Sequence, residues 1–190
     1  MLVRWAWVAA AVVGIPGVAW FAAYEHELGK HLLRSPLAPQ RPEGAITIPF
    51  GTEFARASLE SGWSGDERWN GRFPFVWAEG LTSTLRIPPL AAQAHHLRLR
   101  ANPFLRGGGL SCQVVAVDFN GTRIGRVLLD RGWNDYELEI PGRLIRPVQN
   151  EMEFRYGYAH PPSRRDTRRL AVAFQLLEIF AEGPRGTASH

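Results

Sequence analysis

Two hydrophobic patterns divide this chain. Residues 5–24 form one continuous apolar run without a charged residue, whereas apolar and polar residues alternate in short stretches from residue 45 onward. The alternation is clearest at 97–101 and 135–140, and a period of two is typical of a β-strand that is buried on one face. The pattern therefore predicts an apolar helix followed by a domain made of β-strands.

The second part of the chain carries enough strand signals for a β-sandwich. Cys112–Phe119 and Thr122–Asp130 are rich in strand-forming residues, and the Asn120-Gly121 pair between them favours a two-residue hairpin turn. Residues 152–158 present another apolar face, and residues 170–180 are apolar on both faces, as in a central strand. Further strands are expected at 45–50, 54–59, 73–78 and 82–87. The expected fold class is an all-β antiparallel β-sandwich or jelly roll without a helix inside it, preceded by one transmembrane helix.

The apolar run has the length of a membrane-spanning helix. Twenty residues rise about 30 Å in an α-helix, which matches the hydrocarbon core of a bilayer. Aromatic rings lie at both ends of the run and small residues interrupt its middle, as in a kinked anchor: Trp5, Trp7, Gly14, Pro16, Gly17, Trp20 and Tyr24. A cleaved signal peptide is the alternative. The leading interpretation is a single-pass protein of a bacterial inner membrane with its β domain in the periplasm.

Shifts in composition set the expected domain boundaries. Residues 1–34 are assigned to the transmembrane helix with a short extension, and residues 35–44 to a linker whose three prolines favour an extended spacer. Residues 45–181 form the expected β-sandwich domain, and residues 182–190 form a C-terminal tail.

Charge and composition exclude several classes of function. The 22 basic and 18 acidic residues leave a net charge of +4 and are interspersed, so the chain has no basic block large enough for nucleic-acid binding. The single cysteine, Cys112, excludes an internal disulfide framework.

His95 and His96 are adjacent, which points them to opposite faces of a strand. We interpret them as a surface pair and expect no metal or other cofactor.

Several short motifs resemble a known module. The matching positions are Gly62, Trp63, Glu67, Trp69, the stretch 117–121, Trp133, Tyr136, Asp166, Arg168 and the stretch 170–179. Over about residues 57–180 the pattern resembles a jelly-roll-like β-sandwich accessory module of bacterial envelope proteins, which is often attached to membrane glycosyltransferases. The resemblance implies an accessory domain without a catalyst, since no glycosyltransferase domain accompanies it here.

The tryptophans of this stretch are candidates for contact with a glycan or a protein. Trp63, Trp69 and Trp77 offer flat rings for stacking on sugars, and Glu67 offers a hydrogen-bond acceptor. The alternative is that these rings fill the sandwich core.

A cluster of arginines is the second candidate contact. Four of them lie within six residues: Arg164, Arg165, Arg168 and Arg169. Such a cluster suits anionic lipid, an acidic partner surface or a charged glycan. The alternative is a solvated loop in which Arg168 pairs with Asp166.

The sequence offers no catalytic constellation. Asp66 and Glu67 are adjacent and therefore diverge, which argues against the paired carboxylates of a glycan hydrolase, so no enzyme activity is expected. We expect a membrane-anchored accessory or scaffold subunit that contacts other membrane protein subunits and the lipid bilayer, with a bacterial photosynthetic reaction centre–antenna complex as the expected host. The alternative is a membrane-tethered carbohydrate-binding module of the cell envelope. Exposed tryptophan rings favour the alternative, whereas buried rings favour the accessory subunit.

Overall fold

The described part of the chain, residues 45–106 and 110–181 of the computed structural model, is built from β-strands joined by loops and contains almost no helix. The strands are β1 (Ile46–Pro49), β2 (Leu59–Ser61), β3 (Glu67–Trp69), β4 (Phe73–Glu79), β5 (Thr82–Ile87), β6 (His95–Pro103), β7 (Cys112–Phe119), β8 (Thr122–Asp130), β9 (Asn134–Ile140), β10 (Asn150–Tyr156) and β11 (Leu170–Ala181). A one-turn helix, α1 (Glu53–Arg56), follows β1, and a 3-10 turn (Gly142–Leu144) follows β9. No helix among these residues is long and apolar enough to cross a membrane, and the predicted span at 5–24 lies outside them.

The strands form two antiparallel sheets. The first sheet has the order β3-β4-β11-β6-β9, with β1 also pairing with β11, and the second sheet has the order β2-β5-β10-β7-β8. β11 is central in the first sheet, since Phe174 pairs with Val76 of β4 on one side and with Ala101 of β6 on the other. Its apolar character on both faces fits this position, and the predicted antiparallel two-sheet sandwich is confirmed.

The core lies between the two sheets. Its largest fully buried side chains are Phe50, Phe119, Phe154, Phe174, Leu85, Ile87, Leu97, Leu129, Ile140, Met152, Leu177 and Ile179. Along β6, Leu97 and Leu99 point inward, while Arg98 and Arg100 lie on the outer face and form ion pairs with carboxylates of β9. The period of two in the sequence therefore reports which face of the strand is buried.

The β7–β8 hairpin has the bounds that the sequence predicts. Asn120 and Gly121 adopt φ angles of 50° and 81°, the left-handed conformation that a two-residue turn of this kind requires. The Asn120 side chain accepts a hydrogen bond from the Glu151 backbone N–H at 2.9 Å and donates one to the Leu144 carbonyl at 2.7 Å. It thus ties the turn to β10 and to the segment that precedes β10.

The sequence prediction is wrong at residues 54–59, where the chain is helical before it enters a strand. Thr52 caps α1, because its backbone is extended and its Oγ1 accepts a hydrogen bond from the Ala55 N–H at 3.4 Å. Glu53 adds a negative charge to the first turn, and the strand begins only at Leu59. The sequence also gives no signal for β3, since three residues are too few to show an alternation.

Candidate functional site

The three tryptophans proposed as glycan contacts pack against other residues of the domain: Trp63 is half-buried, and Trp69 and Trp77 are buried. Trp63 packs against the core: its Nε1 donates to the Thr84 carbonyl at 2.7 Å, and its ring lies edge-on to Phe174 at a centroid distance of 5.2 Å. Trp69 and Trp77 are only 9% and 8% exposed. Stacking on a sugar requires an open ring face. These rings instead have the packing role proposed above as the alternative, and they do not line a sugar-binding surface.

Trp69 and Trp77 belong to a second hydrophobic group on the outer face of the first sheet, which we term the outer cluster. Its members are Trp69, Phe75, Trp77, Phe104 and Trp133. Phe75 and Trp77 alternate with core residues along β4, so their side chains point away from the core. Edge-to-face contacts at 5.6 Å join Trp77 to Phe75 and to Phe104. The outer cluster is therefore a packed layer that covers part of the sheet.

Glu67 takes part in an ion-pair network. Its Oε1 accepts a hydrogen bond from Arg168 Nη1 at 2.6 Å, and Arg168 Nη2 donates to Asp166 at 2.7 Å. The hydrogen bonds with Asp166 and Glu67 raise the pKa of Arg168, and Arg168 lowers the pKa of Asp166 below its ordinary value. Asp66 pairs instead with Arg56. The two adjacent carboxylates diverge as the sequence predicts, and each is engaged by an arginine.

The segment between β10 and β11, residues 157–169, is fixed at several points, and we term it the arginine loop. Ser163 Oγ accepts hydrogen bonds from the backbone N–H groups of Arg165 at 3.1 Å and Asp166 at 3.0 Å. Arg169 donates from Nη2 to the Ala159 carbonyl at 3.3 Å. These hydrogen bonds fix the shape of the loop itself. The Arg168–Glu67 ion pair and the hydrogen bond from the Gly157 N–H to the Val114 carbonyl at 3.0 Å tie the loop to the rest of the domain.

The four arginines of the loop divide into two pairs. Arg168 and Arg169 bind groups of the domain itself, and Arg168 pairs with Asp166 as the solvated-loop alternative proposes. Arg164 and Arg165 are exposed, and neither forms an ion pair with any residue that the structure describes. Two guanidinium groups thus face solvent from a loop whose backbone is held in place.

Two aromatic rings lie at the start of the arginine loop. Tyr158 and His160 have ring centroids 5.3 Å apart at an angle of 34°, and both are half-buried. Tyr158 Oη donates to the Cys112 carbonyl at 2.9 Å, and partial burial raises the pKa of the phenol. The sequence pattern assigns Tyr158 to an apolar strand face and gives no signal for His160. It is the end of β10 at Tyr156 that places both rings in the loop.

His95 and His96 point to opposite faces of β6, as their adjacency predicts, but the expected surface pair is wrong. His95 is buried, because its side chain shares the inward face of the strand, and its Nε2 lies 3.0 Å from the Ala91 carbonyl oxygen. His96 lies on the outer face and stacks on Phe180 at 5.6 Å. Within residues 45–106 and 110–181, no group of three His, Cys, Asp or Glu side chains is close enough to hold a metal ion.

The residues proposed as the membrane anchor lie outside the described part of the chain. They are Trp5, Trp7, Gly14, Pro16, Gly17, Trp20 and Tyr24. Their role stays a prediction, as do the periplasmic location and the membrane partners that depend on it.

Comparisons with known proteins yield likenesses of fold. No family model and no curated protein matches the chain. Among solved structures, the CBM36-1 domain of a multidomain xylanase from the hindgut metagenome of Trinervitermes trinervoides is 12% identical, with a TM-score of 0.47 over 74% of this chain and 100% of that chain. The C-terminal CBM6 of the laminarinase LamC from Zobellia galactanivorans is 9% identical, with a TM-score of 0.47 over 73% of this chain and 100% of that chain. The Cry4Aa toxin of Bacillus thuringiensis is 10% identical, with a TM-score of 0.46 over 74% of this chain and 24% of that chain. These likenesses assign neither a family nor a ligand to this chain.

Proposed function

We propose that this chain is a non-catalytic recognition module that binds an anionic glycan through the arginine loop. The observation that carries the proposal is the division among the four arginines. Two of them hold the loop, and two are exposed without an ion-pair partner among the described residues. A loop that is already held by the domain loses less conformational entropy when a ligand binds.

The exposed pair suits carboxylate or sulfate groups. Arg164 and Arg165 carry planar guanidinium groups, each able to donate two parallel hydrogen bonds to such an anion. Tyr158 and His160, at the start of the same loop, add ring surface on which a sugar can pack. An acidic polysaccharide presents both the anionic groups and the sugar faces that this combination recognises.

The carboxylates around the loop favour binding over hydrolysis. Glycoside hydrolysis needs two carboxyl groups that flank one substrate bond. Glu67 and Asp166 both accept hydrogen bonds from Arg168, and the neighbouring Asp66 pairs with an arginine of α1. Glu67 and Asp166 hold the loop in position through Arg168, and the proposal accordingly assigns recognition without cleavage.

A binding experiment with the full chain tests the proposal. The chain, solubilised in a mild detergent, is titrated calorimetrically with polygalacturonate, dextran sulfate and neutral laminarin. We expect an anionic polymer to bind, laminarin to bind weakly or not at all, and the affinity to fall with added salt because the contact is ionic. Arg164→Ala combined with Arg165→Ala should weaken binding about tenfold or more, since a hydrogen bond to a charged group contributes about 1.5–3 kcal/mol.

Arg143 and Arg146 provide the matched control. Both are exposed, both lie between β9 and β10, and their removal changes the net charge by the same amount. Arg143→Ala combined with Arg146→Ala should leave the affinity within about twofold of wild type. Equal losses in the two double variants, or no binding of either anionic polymer, would overturn the proposal.

Burial of the tryptophans favours a second candidate, a membrane-anchored accessory subunit. Trp69 and Trp77 are packed within the outer cluster, so neither ring is open for stacking on a sugar. In this second candidate, the surface over the outer cluster contacts another protein. In this proposal residues 1–34 anchor the chain among other membrane subunits, with a bacterial photosynthetic reaction centre–antenna complex as the expected host. Purification of the tagged full chain in mild detergent, followed by mass spectrometry and an absorption spectrum, tests it. A stoichiometric complex supports the subunit role, and a chain that purifies alone contradicts it.

A further inference from the structure

The outer face of β8 carries an exposed leucine between two charges. Leu128 is 53% exposed, and its cross-strand neighbour Val114 on β7 is 46% exposed. Arg126 and Asp130 lie two residues before and after Leu128, so the three side chains point to the same face of the strand. Leu129 points the opposite way and is fully buried.

The two charges differ from the carboxylate at the other end of β7, which is paired with two arginines. Asp118 of β7 is bound by both Arg123 and Arg155. Arg126 and Asp130 are exposed, and neither forms an ion pair with a residue in the described ranges. They also cannot pair with each other, since four residues of a strand separate their Cα atoms by about 13 Å.

This arrangement is complementary to itself. When a second, antiparallel β8 is placed on this face with a twofold axis at Leu128, each Arg126 lies opposite the second copy's Asp130. Two equivalent ion pairs then flank an apolar centre, as in the polar rim and apolar core of many protein interfaces. Facing sheets lie about 10 Å apart, a gap that an arginine and an aspartate side chain bridge together.

We propose that a second copy of this chain docks on the outer face of β7 and β8 around a twofold axis at Leu128. Leu128 and Val114 form the centre of the interface, and Arg126 pairs reciprocally with the second copy's Asp130. The apolar area is small, so the dimer has low affinity and forms where the local concentration of the chain is high. The proposal concerns assembly and does not rest on the ligand proposed for the arginine loop.

Cross-linking at the axis gives the first test, on the full chain in mild detergent. Cys112 is the single cysteine, so Cys112→Ser supplies a background to which Leu128→Cys is added. A short bis-maleimide should join two such chains, whereas facing sheets are too far apart for a direct disulfide. Val148→Cys in the same background is the matched control, at a site that is 77% exposed on another segment, and it should stay monomeric. Cross-linking of neither variant, or of both equally, would count against the proposal.

Exchange of the two charges gives the second test, by sedimentation velocity of the full chain. Arg126→Asp and Asp130→Arg each set like charges opposite one another, and each should raise the dimer dissociation constant about tenfold or more. The double variant restores both pairs with reversed polarity and should return to within about threefold of wild type. Both side chains are exposed, so the variants should fold, which circular dichroism checks. The proposal is overturned by a wild-type chain that stays monomeric up to the highest concentration that remains in solution. It is overturned equally by a dimer that the single variants leave unchanged, or by a double variant that is not restored.

Discussion

Arg168 Nη1 donates a hydrogen bond to Glu67 Oε1 at 2.6 Å, and this contact joins two segments that lie 101 residues apart in the sequence. The same guanidinium group also holds Asp166 within the arginine loop. One side chain thus fastens the loop to the edge strand β3, and the position of the exposed arginines depends on it.

Replacement of Arg168 by alanine should release the arginine loop while the sandwich stays folded. The ion pairs are partly exposed, so we expect a loss of only about 0.5–1 kcal/mol in the free energy of unfolding. Hydrogen exchange of residues 163–169 should become about tenfold faster or more, and the affinity for anionic glycan should fall with it. Arg86→Ala removes a comparable surface ion pair with Glu60 and is the control, since it should leave exchange in the loop unchanged. Unchanged loop exchange in Arg168→Ala would show that other contacts hold the loop.

Asp166 makes the loop sensitive to acid. Hydrogen bonds from Arg168 lower its pKa below the ordinary carboxyl value, so the stability that this pair contributes is present above that value. This contribution to stability is lost as the pH falls through the lowered pKa of Asp166. Limited proteolysis with an acid-active protease should therefore cut the wild-type loop faster in strongly acidic solution than near pH 5. Asp166→Asn removes this titrating group but keeps the Arg168–Glu67 pair, so the increase in cutting rate between about pH 5 and strong acid should be smaller than in the wild type. A wild-type loop that behaves like this variant would contradict the prediction.

The sequence predicts the strands better than it predicts the site. Strands with one buried face, such as β6 and β9, show a local alternation, and the β7–β8 hairpin is determined by its two turn residues. The helix at Glu53–Arg56 has a far weaker signal, a single capping residue before one turn. Local patterns therefore predict most of the strands, but they do not predict short elements that are stabilised by contacts with neighbouring elements.

The site depends on long-range contacts that spacing along the chain does not contain. Four clustered arginines are visible in the sequence, but the sequence does not show which of them bind groups of the protein itself. Arg168 and Arg169 do so because the fold brings Glu67 and the Ala159 carbonyl next to them. The burial of Trp77 likewise depends on Phe104, which lies beyond the end of β6. Periodicity indicates whether a face of a strand is buried, but it does not indicate which residues cover that face. It therefore cannot distinguish an aromatic ring that packs within the domain from one that binds a ligand.

Asn120 should contribute more to stability than its turn partner Gly121. Asn120→Ala loses hydrogen bonds to Leu144, Asn150 and Glu151 and places alanine at a positive φ angle. We expect a loss of about 2–4 kcal/mol in the free energy of unfolding, measured by chemical denaturation. Gly121→Ala meets no atom within 4 Å and suffers only from its φ angle of 81°, so it should lose about 1–2 kcal/mol. Equal losses in the two variants would mean that the side-chain hydrogen bonds add nothing.

Trp77 allows the packing role of the tryptophans to be separated from a binding role. Trp77→Ala removes a ring that packs edge-on against Phe75 and Phe104, and it should lower the free energy of unfolding by about 3–5 kcal/mol. Phe54, which is 75% exposed, is the aromatic control, and Phe54→Ala should change stability by less than about 0.5 kcal/mol.

Trp77→Phe extends this test to the ligand. The smaller ring keeps part of the packing, so the variant should remain folded with an intermediate stability. Its affinity for an anionic glycan should equal that of the wild type, because the buried ring does not reach the arginine loop's ligand. Calorimetric titration of the folded variant measures this directly. A loss of affinity without a matching loss of stability would show that Trp77 contacts the sugar, and it would move the binding surface from the arginine loop to the outer cluster.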